Sequence, residues 1–217
     1  MKKTLKRLIK NTIFVIFAFL CLAVNVKADG YVCQHGYHTF GDYQMGYGVG
    51  DYGKNRRYYY ETGFDSTYSN YIANAVSEWV HTSNEGPHVK TSISIRKTTT
   101  KKSALFEFVN GFIGEGKGGQ TKFFLYQSEV PLNSEGALTK NYGWAQCTIG
   151  VSELNKKKYN IPAAQKQATI AHELGHAMGL SHQNNRPESI MCQYRGGTRK
   201  ATRADATDCN TINHIYG

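Results

Sequence analysis

Proline and charged side chains are scarce in this sequence of 217 residues, which contains 4 proline residues and 19% Asp, Glu, Lys and Arg. A coiled coil or a charged helical bundle needs a larger share of charged residues, so both classes are excluded. Global disorder is excluded as well, because 40% of the residues are hydrophobic and can bury a core. The chain is rich instead in glycine and tyrosine, with 22 and 15 residues. Its length and composition predict one turn-rich globular domain.

Acidic residues are absent from residues 1–28, which carry six of the ten excess positive charges. The remaining net charge of +4 is mild and gives no indication of a nucleic-acid partner.

A basic start, an apolar stretch over 12–26 and the sequence Val26-Lys27-Ala28 predict a signal peptide at 1–28, cleaved after Ala28. We therefore expect a secreted, extracellular protein, with an uncleaved anchor as the alternative. The apolar stretch is shorter than the about 20 residues of a spanning helix, so we expect no membrane insertion after cleavage.

Cysteine is limited to four residues once Cys21 leaves with the signal peptide. In an exported chain, an even number of cysteines indicates up to two disulfides, and four cysteines can pair in three ways. Cys192 and Cys209 are the closest in sequence, so a bridge between them is favoured, and Cys33–Cys147 follows by elimination. Free buried thiols are the alternative.

Patterning divides the rest of the chain into residues 29–64 and residues 65–217. Residues 29–64 are rich in glycine and tyrosine without a helical or strand period, and indicate either an irregular N-terminal segment or a short pro-segment. Apolar residues at helical spacing over 66–80, with Asp65 or Ser66 as the cap, predict an amphipathic helix. Residues typical of strands occur at 57–60, 88–98, 104–109, 121–126 and 144–151. No linker is long enough to divide residues 65–217, which we expect to form a single domain.

Histidines at helical spacing form the strongest chemical signal in the sequence. On a helix, His172 and His176 lie one turn apart on the same face, where both rings can bind one metal ion. Gly179 is suited to end that helix in a left-handed conformation, and the turn brings His182 back as a third ligand. Three histidines with an open position are typical of a catalytic zinc site. Glu173 lies next to His172, where it can reach a water on the metal without being a ligand.

The pattern H-E-x-x-H-x-x-G-x-x-H over residues 172–182 resembles the signature of the metzincin metalloproteases. Metzincins carry a methionine in a tight turn beneath the metal, and Met191 fits that position. Residues 202–217 end in Ile-Tyr-Gly and are similar to the closing helix of matrixins, with Thr202 and Asp205 at capping-box spacing. The resemblance is to a matrixin-like metzincin of the small secreted bacterial type. It implies an α+β, metzincin-like domain over residues 65–217, with a twisted, mostly parallel sheet, two long helices, a Met-turn and a C-terminal helix.

The residues after the methionine depart from the pattern of astacins and serralysins. Those subfamilies carry a tyrosine two residues after the methionine, which can bind the metal as an extra ligand. Here Gln193 holds that place and Tyr194 is one position further on. Tyr194 is therefore not assigned to the metal, and the expected ligands remain His172, His176 and His182.

The resemblance implies a zinc endopeptidase that hydrolyses peptide bonds in proteins, with one catalytic Zn²⁺ and Glu173 as the general base. Substrate is expected to extend along an edge strand, for which 121–126 and 144–150 are candidates, and residues 194–198 are expected to form the wall of the specificity pocket. We expect a monomer that acts on protein or peptide substrates. No pattern in the sequence supports a structural Ca²⁺ ion. The alternatives are a non-catalytic binding module that holds zinc and a cell-surface or carbohydrate-binding module that uses the tyrosines of residues 29–64.

Overall fold

The computed structural model describes residues 33–34, 36–52, 54–84, 86–194 and 197–217. The predicted signal peptide at residues 1–28 lies outside the described residues. Within the described part of the chain, no helix is long and apolar enough to cross a membrane. The helices are α1 (Ser66–Val80), α2 (Val151–Leu154), α3 (Ala163–Ala177) and α4 (Ala206–Tyr216), with short 3-10 turns at Lys101–Ser103 and Lys157–Tyr159.

A six-stranded sheet forms one layer of the domain, and most of its strands are parallel, as expected for the α+β class. The described strands are β1 (Cys33–Gln34), β2 (Tyr37–His38), β3 (Arg57–Thr62), β4 (Ile95–Lys97), β5 (Phe106–Asn110), β6 (Gly119–Leu125), β7 (Ser128–Val130) and β8 (Trp144–Ile149). The order across the six-stranded sheet is β4-β3-β5-β8-β6-β7, and β4, β3, β5 and β8 are mutually parallel. Strand β6 runs antiparallel to β8 on one side and to β7 on the other. A separate two-stranded hairpin is formed by β1 and β2.

Two of the predicted strands are shorter in the structure than in the sequence pattern. Of residues 88–98, only Ile95–Lys97 forms a strand, because its partner β3 begins at Arg57, which is paired with Ile95. The alternating residues before Ile95 therefore have no neighbouring strand to complete a ladder. The strand predicted over 144–151 ends at Ile149, since Gly150 is the N-cap of the short helix α2.

The two long helices pack against each other and against the sheet. Helix α1 begins at Ser66, and Asp65 caps it by accepting a hydrogen bond from the Tyr68 amide at 2.9 Å, as predicted. The indole nitrogen of Trp79 on α1 donates to the main-chain oxygen of Ala171 on α3 at 2.9 Å, in the interior of the domain. Helix α3 also contacts β6 and β8. Helix α3 is therefore packed between α1 and the part of the sheet that contains β6 and β8.

The closing helix starts later than its sequence pattern predicts. Helix α4 begins at Ala206, and its capping box is formed by Asp205 and Asp208, so Thr202 lies outside it. Asp205 accepts hydrogen bonds from the amides of Thr207 and Asp208, while Asp208 accepts one from the amide of Asp205. The paired aspartates satisfy amides that the first turn of a helix leaves without partners.

The described part of the Gly/Tyr-rich N-terminal segment is folded onto the domain. Phe40, Met45 and Val49 are almost completely buried in the same apolar core as the helices and the sheet. Thr39 forms an antiparallel bridge with Leu180, directly after the active-site helix. The many glycines serve turns in this segment, several of them with positive φ.

The predicted Cys192–Cys209 disulfide is not formed, and neither is a bridge to Cys147. All three are free, buried thiols. The Cys192 thiol interacts with the main-chain oxygen of Gln193, whereas Cys209 on α4 interacts with Thr82. A disulfide needs Cβ atoms that face each other at about 3.8 Å, and these side chains have different neighbours. Proximity in sequence was therefore the wrong criterion, and the alternative of free thiols is correct for these residues.

Candidate active site

Three histidine rings converge beside the C-terminal half of α3. His172 and His176 lie on the helix, which ends at Ala177, and Gly179 has a φ of +100° that turns the chain back. The amide of Leu180 then donates to the oxygen of Gly175 at 3.1 Å, closing the end of the helix. As a result, Nε2 of His182 lies 3.0 Å from Nε2 of His176 and 3.1 Å from Nε2 of His172. The helix and its glycine turn therefore bring the three predicted ligands together.

Main-chain oxygens fix the orientation of the two helical rings. Nδ1 of His172 is 2.8 Å from the oxygen of Ile190, and Nδ1 of His176 is 2.7 Å from the oxygen of Leu180. Because a carbonyl oxygen can only accept, each Nδ1 carries the proton, and each Nε2 presents a lone pair to the centre of the cluster. This outer hydrogen bond is the arrangement that orients histidine ligands in metal sites.

The cluster fits a zinc ion in spacing, protonation and ligand type. Nitrogen ligands about 2.0–2.1 Å from a tetrahedral zinc lie about 3.3 Å apart, close to the spacing found here. Burial lowers the pKa of His176 to about 4 and that of His172 well below its usual value, so the rings are neutral, as metal binding requires. Lone pairs facing one another repel unless a cation lies between them. Among the described residues, this is the one group of three or more His, Cys, Asp or Glu side chains close enough to share a metal ion.

Glu173 is buried next to the histidine cluster and is held by strand β6. The hydroxyl of Thr121 lies 2.7 Å from Oε2 of Glu173 and 3.0 Å from its main-chain oxygen. Burial raises the pKa of Glu173 to about 7, although the hydrogen bond from Thr121 and the charge of Arg199 lower it. A carboxyl group with a pKa near neutrality is suited to accept and return a proton at physiological pH.

Gly119 of β6 lets the backbone approach the other side of the same carboxylate. A Cβ atom at this position would lie 2.4 Å from Oε1 of Glu173 and 2.5 Å from its Cγ, which no side chain tolerates. The glycine therefore provides the space in which Glu173 lies. The sequence analysis included Thr121 only as part of the candidate substrate strand 121–126 and did not connect it or Gly119 with Glu173, although the glycine run before β6 is visible in the sequence.

A tight turn over residues 189–192 lies beneath the histidines and contains Met191, as the resemblance implied. Met191 is fully buried, and its sulfur occupies the space over Gly175 of α3, where a Cβ atom would lie 2.4 Å away. Asp208 at the start of α4 holds this Met-turn by accepting hydrogen bonds from the Ser189 hydroxyl at 2.6 Å and the Ile190 amide at 3.0 Å. The oxygen of that same Ile190 orients His172, so the closing helix is linked to the histidine cluster through the Met-turn.

The N-terminal segment supports the cluster from the opposite side, which sequence reasoning missed. The amide of Ser181, one residue before His182, donates to the oxygen of His38 at 2.8 Å. The ring of Phe40 packs 5.4 Å from the ring of His176, measured between centroids. No motif marks these residues, because their role depends on pairing between distant parts of the chain.

An open cleft of about 450 Å³ runs past the histidines and Glu173. Gly119 and Thr121 line one side of it, and residues after the Met-turn line another, including Tyr194. The predicted pocket wall at 194–198 is described only in part, since residues 195–196 lie outside the described residues. Arg199, which the sequence analysis did not single out, also lines the cleft and is only 2% exposed.

Comparison with known proteins identifies the C-terminal part of the chain. Residues 155–217, which include α3, the three histidines, the Met-turn and α4, match the family model of the matrixins, a peptidase family. No curated protein matches the chain at a significant level.

Solved structures are similar at low sequence identity. Archaemetzincin from Methanopyrus kandleri is 12% identical, with a TM-score of 0.45, over 76% of this chain and 97% of that protein. Two structures of myroilysin are 13% and 15% identical, with TM-scores of 0.43 and 0.42. They cover 77% and 88% of this chain, and 95% and 96% of their own chains.

The histidine signature, the Met-turn and the closing helix lie within the residues that the matrixin model matches. Their arrangement in the structure agrees with the sequence resemblance in each of these three features. Over residues 155–217 the chain is therefore similar to the matrixin peptidases.

Proposed function

We propose that this protein is a secreted endopeptidase in which His172, His176 and His182 hold one zinc ion and Glu173 is the general base. The observation that carries the proposal is the convergence of three Nε2 atoms beside a buried carboxyl group in an open cleft. A histidine cluster that only bound metal would have no need of a carboxyl group with a pKa of about 7 at this position. Secretion rests on the sequence pattern of residues 1–28.

The chemistry divides between the metal and the residues around it. A zinc ion bound there supplies a Lewis acid that polarises the scissile carbonyl and makes a water molecule acidic at neutral pH. Thr121 engages Oε2 of Glu173, which leaves Oε1 to accept the proton of the attacking water. The same carboxyl group then delivers that proton to the nitrogen of the leaving amine. His172 and His176 keep the tautomer needed for binding, because their Nδ1 protons are held by main-chain oxygens.

Substrate lies along the outer edge of β6 in this proposal. Of the two candidate strands, β8 lies between β5 and β6 and offers no free edge. Strand β6 pairs with β8 over residues 119–124 but with β7 only over residues 123–125. Among the described strands, none pairs with the outer edge of residues 119–122, of which residues 119–121 line the cleft next to Glu173. An extended peptide can add a strand there, with its scissile bond near the histidines.

The proposal is tested by separating metal binding from catalysis with Glu173→Gln. The variant keeps the shape and loses the base, so we expect about one zinc per chain and at least a hundredfold slower cleavage of an unfolded protein, the scale of general acid–base catalysis. Glu107→Gln is the matched control, because Glu107 is also a buried carboxylate on a strand, paired with Lys101 and outside the cleft. The control should cleave at the wild-type rate.

Two results would count against the proposal. Wild-type protein that binds zinc but cleaves no member of a peptide library would favour a non-catalytic binding module. Near-normal cleavage by zinc-loaded Glu173→Gln would remove the general base from the mechanism.

A further inference from the structure

Arg199 places a buried positive charge in the wall of the active-site cleft. Its Nε donates to Oε1 of Gln165 at 3.1 Å, and its Nη2 donates to Oγ1 of Thr169 at 3.0 Å and to the main-chain oxygen of Gln165 at 3.4 Å. All of these acceptors are neutral. Among the residues that the structure describes, Arg199 forms no ion pair, and its Nη1 has no hydrogen-bond acceptor.

A buried guanidinium without a carboxylate partner is unusual, because removing a charge from water is costly unless an opposite charge compensates. Burial lowers the pKa of Arg199 to about 10, which is still far above neutrality, so the group remains a cation. Glu173 is the acid of the cleft that influences Arg199, but Thr121 already engages its carboxyl group. The positive charge is therefore available to an anion that enters the cleft.

The position of Arg199 fits a substrate side chain that begins near the scissile bond. Arg199 contacts Thr169 of α3, and Glu173 follows Thr169 by four residues, about 6 Å along the helix. A glutamate side chain covers a comparable length between its Cα and its carboxylate. The side chain would thus reach Arg199 while its own peptide bond lay beside the histidines.

The remaining walls of this part of the cleft suit the stem of such a side chain. Leu154 and Ile161 line the cleft together with Arg199. The ring of Tyr194 lies on another side, with its centroid 5.7 Å from the guanidinium carbon of Arg199. Apolar and aromatic walls that end in a fixed cation match methylene groups that end in a carboxylate.

We infer that Arg199 is a specificity-determining residue, which selects substrates with an acidic side chain next to the scissile bond. The inference rests on the proposed function, since it names the substrate class of the same active site. The carboxylate of the substrate accepts a hydrogen bond from the free Nη1 of Arg199 and neutralises its charge. A glutamine of the same shape lacks the charge, and a leucine leaves Nη1 without an acceptor.

Cleavage of matched peptides tests the inference. The cleavage position is first mapped with a peptide library, and peptides are then compared that differ only in Glu, Gln or Leu at the residue next to the scissile bond. We expect the wild type to favour Glu over Gln by about 10- to 100-fold in kcat/KM, the range of a charge-assisted hydrogen bond. Because a buried pair is screened weakly, the preference should persist in 0.5 M salt, unlike attraction by the surface charge of the protein.

Three variants connect the preference to Arg199. In Arg199→Met, we expect the ratio of kcat/KM between the Glu and Gln peptides to fall to about one, whatever the change in the overall rate. Lys200→Met is the control, since it removes a positive charge at the adjacent but exposed position and should preserve the preference. If Arg199→Met fails to fold, as judged by its thermal transition and zinc content, Arg199→Lys keeps a charge but loses the planar fork and should weaken the preference several-fold. An unchanged preference in either Arg199 variant would overturn the inference.

Binding separates this inference from the proposed function. Zinc-loaded Glu173→Gln protein is titrated with labelled Glu and Gln peptides, and fluorescence anisotropy reports affinity without cleavage. Tighter binding of the Glu peptide that disappears in the double variant with Arg199→Met supports the inference even if the wild type cleaves nothing. Equal binding of both peptides, or cleavage by the wild type without a preference for Glu, would overturn the inference while leaving the peptidase proposal intact.

Discussion

At the scale of single residues, the position of Glu173 depends on two residues of β6 that carry no catalytic chemistry. Thr121 binds one carboxyl oxygen, and Gly119 leaves the space in which the other lies. The carboxyl group of Glu173 is therefore held by the same strand whose outer edge is proposed to bind substrate. Changes in this strand should alter catalysis without touching the metal ligands.

We predict that Gly119→Ala slows cleavage but leaves zinc binding unchanged. The added Cβ atom would overlap Oε1 of Glu173, so the carboxyl group must move, whereas the histidines lie on other elements. Cleavage should fall by about 100-fold or more, the contribution of a well-placed base, and the zinc content should stay near one per chain. Gly46→Ala is the control, because Gly46, like Gly119, does not have a positive φ, and a Cβ atom added there would lie no closer than 3.6 Å to another residue. Equal losses of activity in the two variants would contradict the explanation.

A second residue-scale prediction concerns His38, which is buried with its Nε2 atom unpaired among the described residues. Burial and the nearby charge of Arg186 lower the pKa of His38 to about 4, although Asp205 raises it. In the unfolded chain the ring titrates near 6.5, so the folded state binds fewer protons between these values. Its contribution to stability is present above pH 6.5 and is lost as the pH falls toward 4, up to about 3 kcal/mol in total.

Urea unfolding of zinc-free protein at pH 7.5 and pH 4.5 measures this contribution. The loss of stability between the two pH values should be smaller by about 2.5 kcal/mol in His38→Leu than in the wild type, because pH 4.5 still lies slightly above the folded pKa of about 4. The other histidines titrate in both proteins, so their effect cancels in the comparison. Equal losses in the two proteins would contradict the prediction.

The convergence of the three histidines beside Glu173 could be predicted from the sequence, because local geometry alone brings these residues together. Helical spacing aligns His172 and His176, and a single glycine turn returns His182. Thr121 is 52 residues from Glu173 in sequence and reaches it only through the antiparallel pairing of β6. Arg199 likewise depends on the path of the chain after the Met-turn. Spacing can reveal a motif within one element, but not side chains brought to it by tertiary structure.

At the scale of elements, the start of α4 and the Met-turn act as one unit. The carboxylate of Asp208 accepts hydrogen bonds from Ser189, Ile190 and Asp205, and thereby joins the helix cap to the turn. The main-chain oxygen of Ile190 in turn accepts a hydrogen bond from Nδ1 of His172 and fixes the orientation of that ring. The closing helix thus orients His172 through the Met-turn.

We predict that Asp208→Ala weakens both stability and metal binding. Loss of the cap and of partners for two buried amides should lower the free energy of unfolding by about 2–4 kcal/mol. Zinc affinity should fall about 10- to 100-fold, the usual effect of removing an interaction that orients a ligand. Chemical unfolding and competition with a chelator measure the two effects. Asn210→Ala, at an exposed position of the same helix, is the control, and an Asp208→Ala protein with unchanged zinc affinity would disconnect α4 from the site.

Elements were predicted well where their pattern is local and less well where it depends on a partner. Helix α1 has the bounds that its apolar period indicated, Ser66–Val80. Strand β4 is limited to three residues because β3 offers no earlier partner. The expected Cys192–Cys209 bridge failed for a similar reason, since the direction of a side chain is set by packing rather than by distance along the chain.

At the scale of the whole molecule, the first and last described segments meet at the end of the active-site helix. Phe40 donates its amide to the oxygen of Gly179, and Tyr216 of α4 donates its hydroxyl to the oxygen of Met178. That same hydroxyl accepts a hydrogen bond from the amide of Met45 at 3.2 Å. The turn that leads to His182 is therefore enclosed by both ends of the described chain.

This enclosure predicts that the N-terminal segment is required for a stable metal site. Phe40 is 2% exposed and packs against Phe123 as well as His176, so Phe40→Ala leaves a cavity and should cost about 3–5 kcal/mol. That is a large part of the 5–15 kcal/mol that typically stabilises a domain, and zinc retention should fall with it. Tyr52→Ala is the control, because Tyr52 belongs to the same segment but is 61% exposed, and its thermal unfolding should match the wild type. A Phe40→Ala protein that melts like the wild type and keeps its zinc would mean that the segment is separable from the catalytic domain, as a removable pro-segment would be.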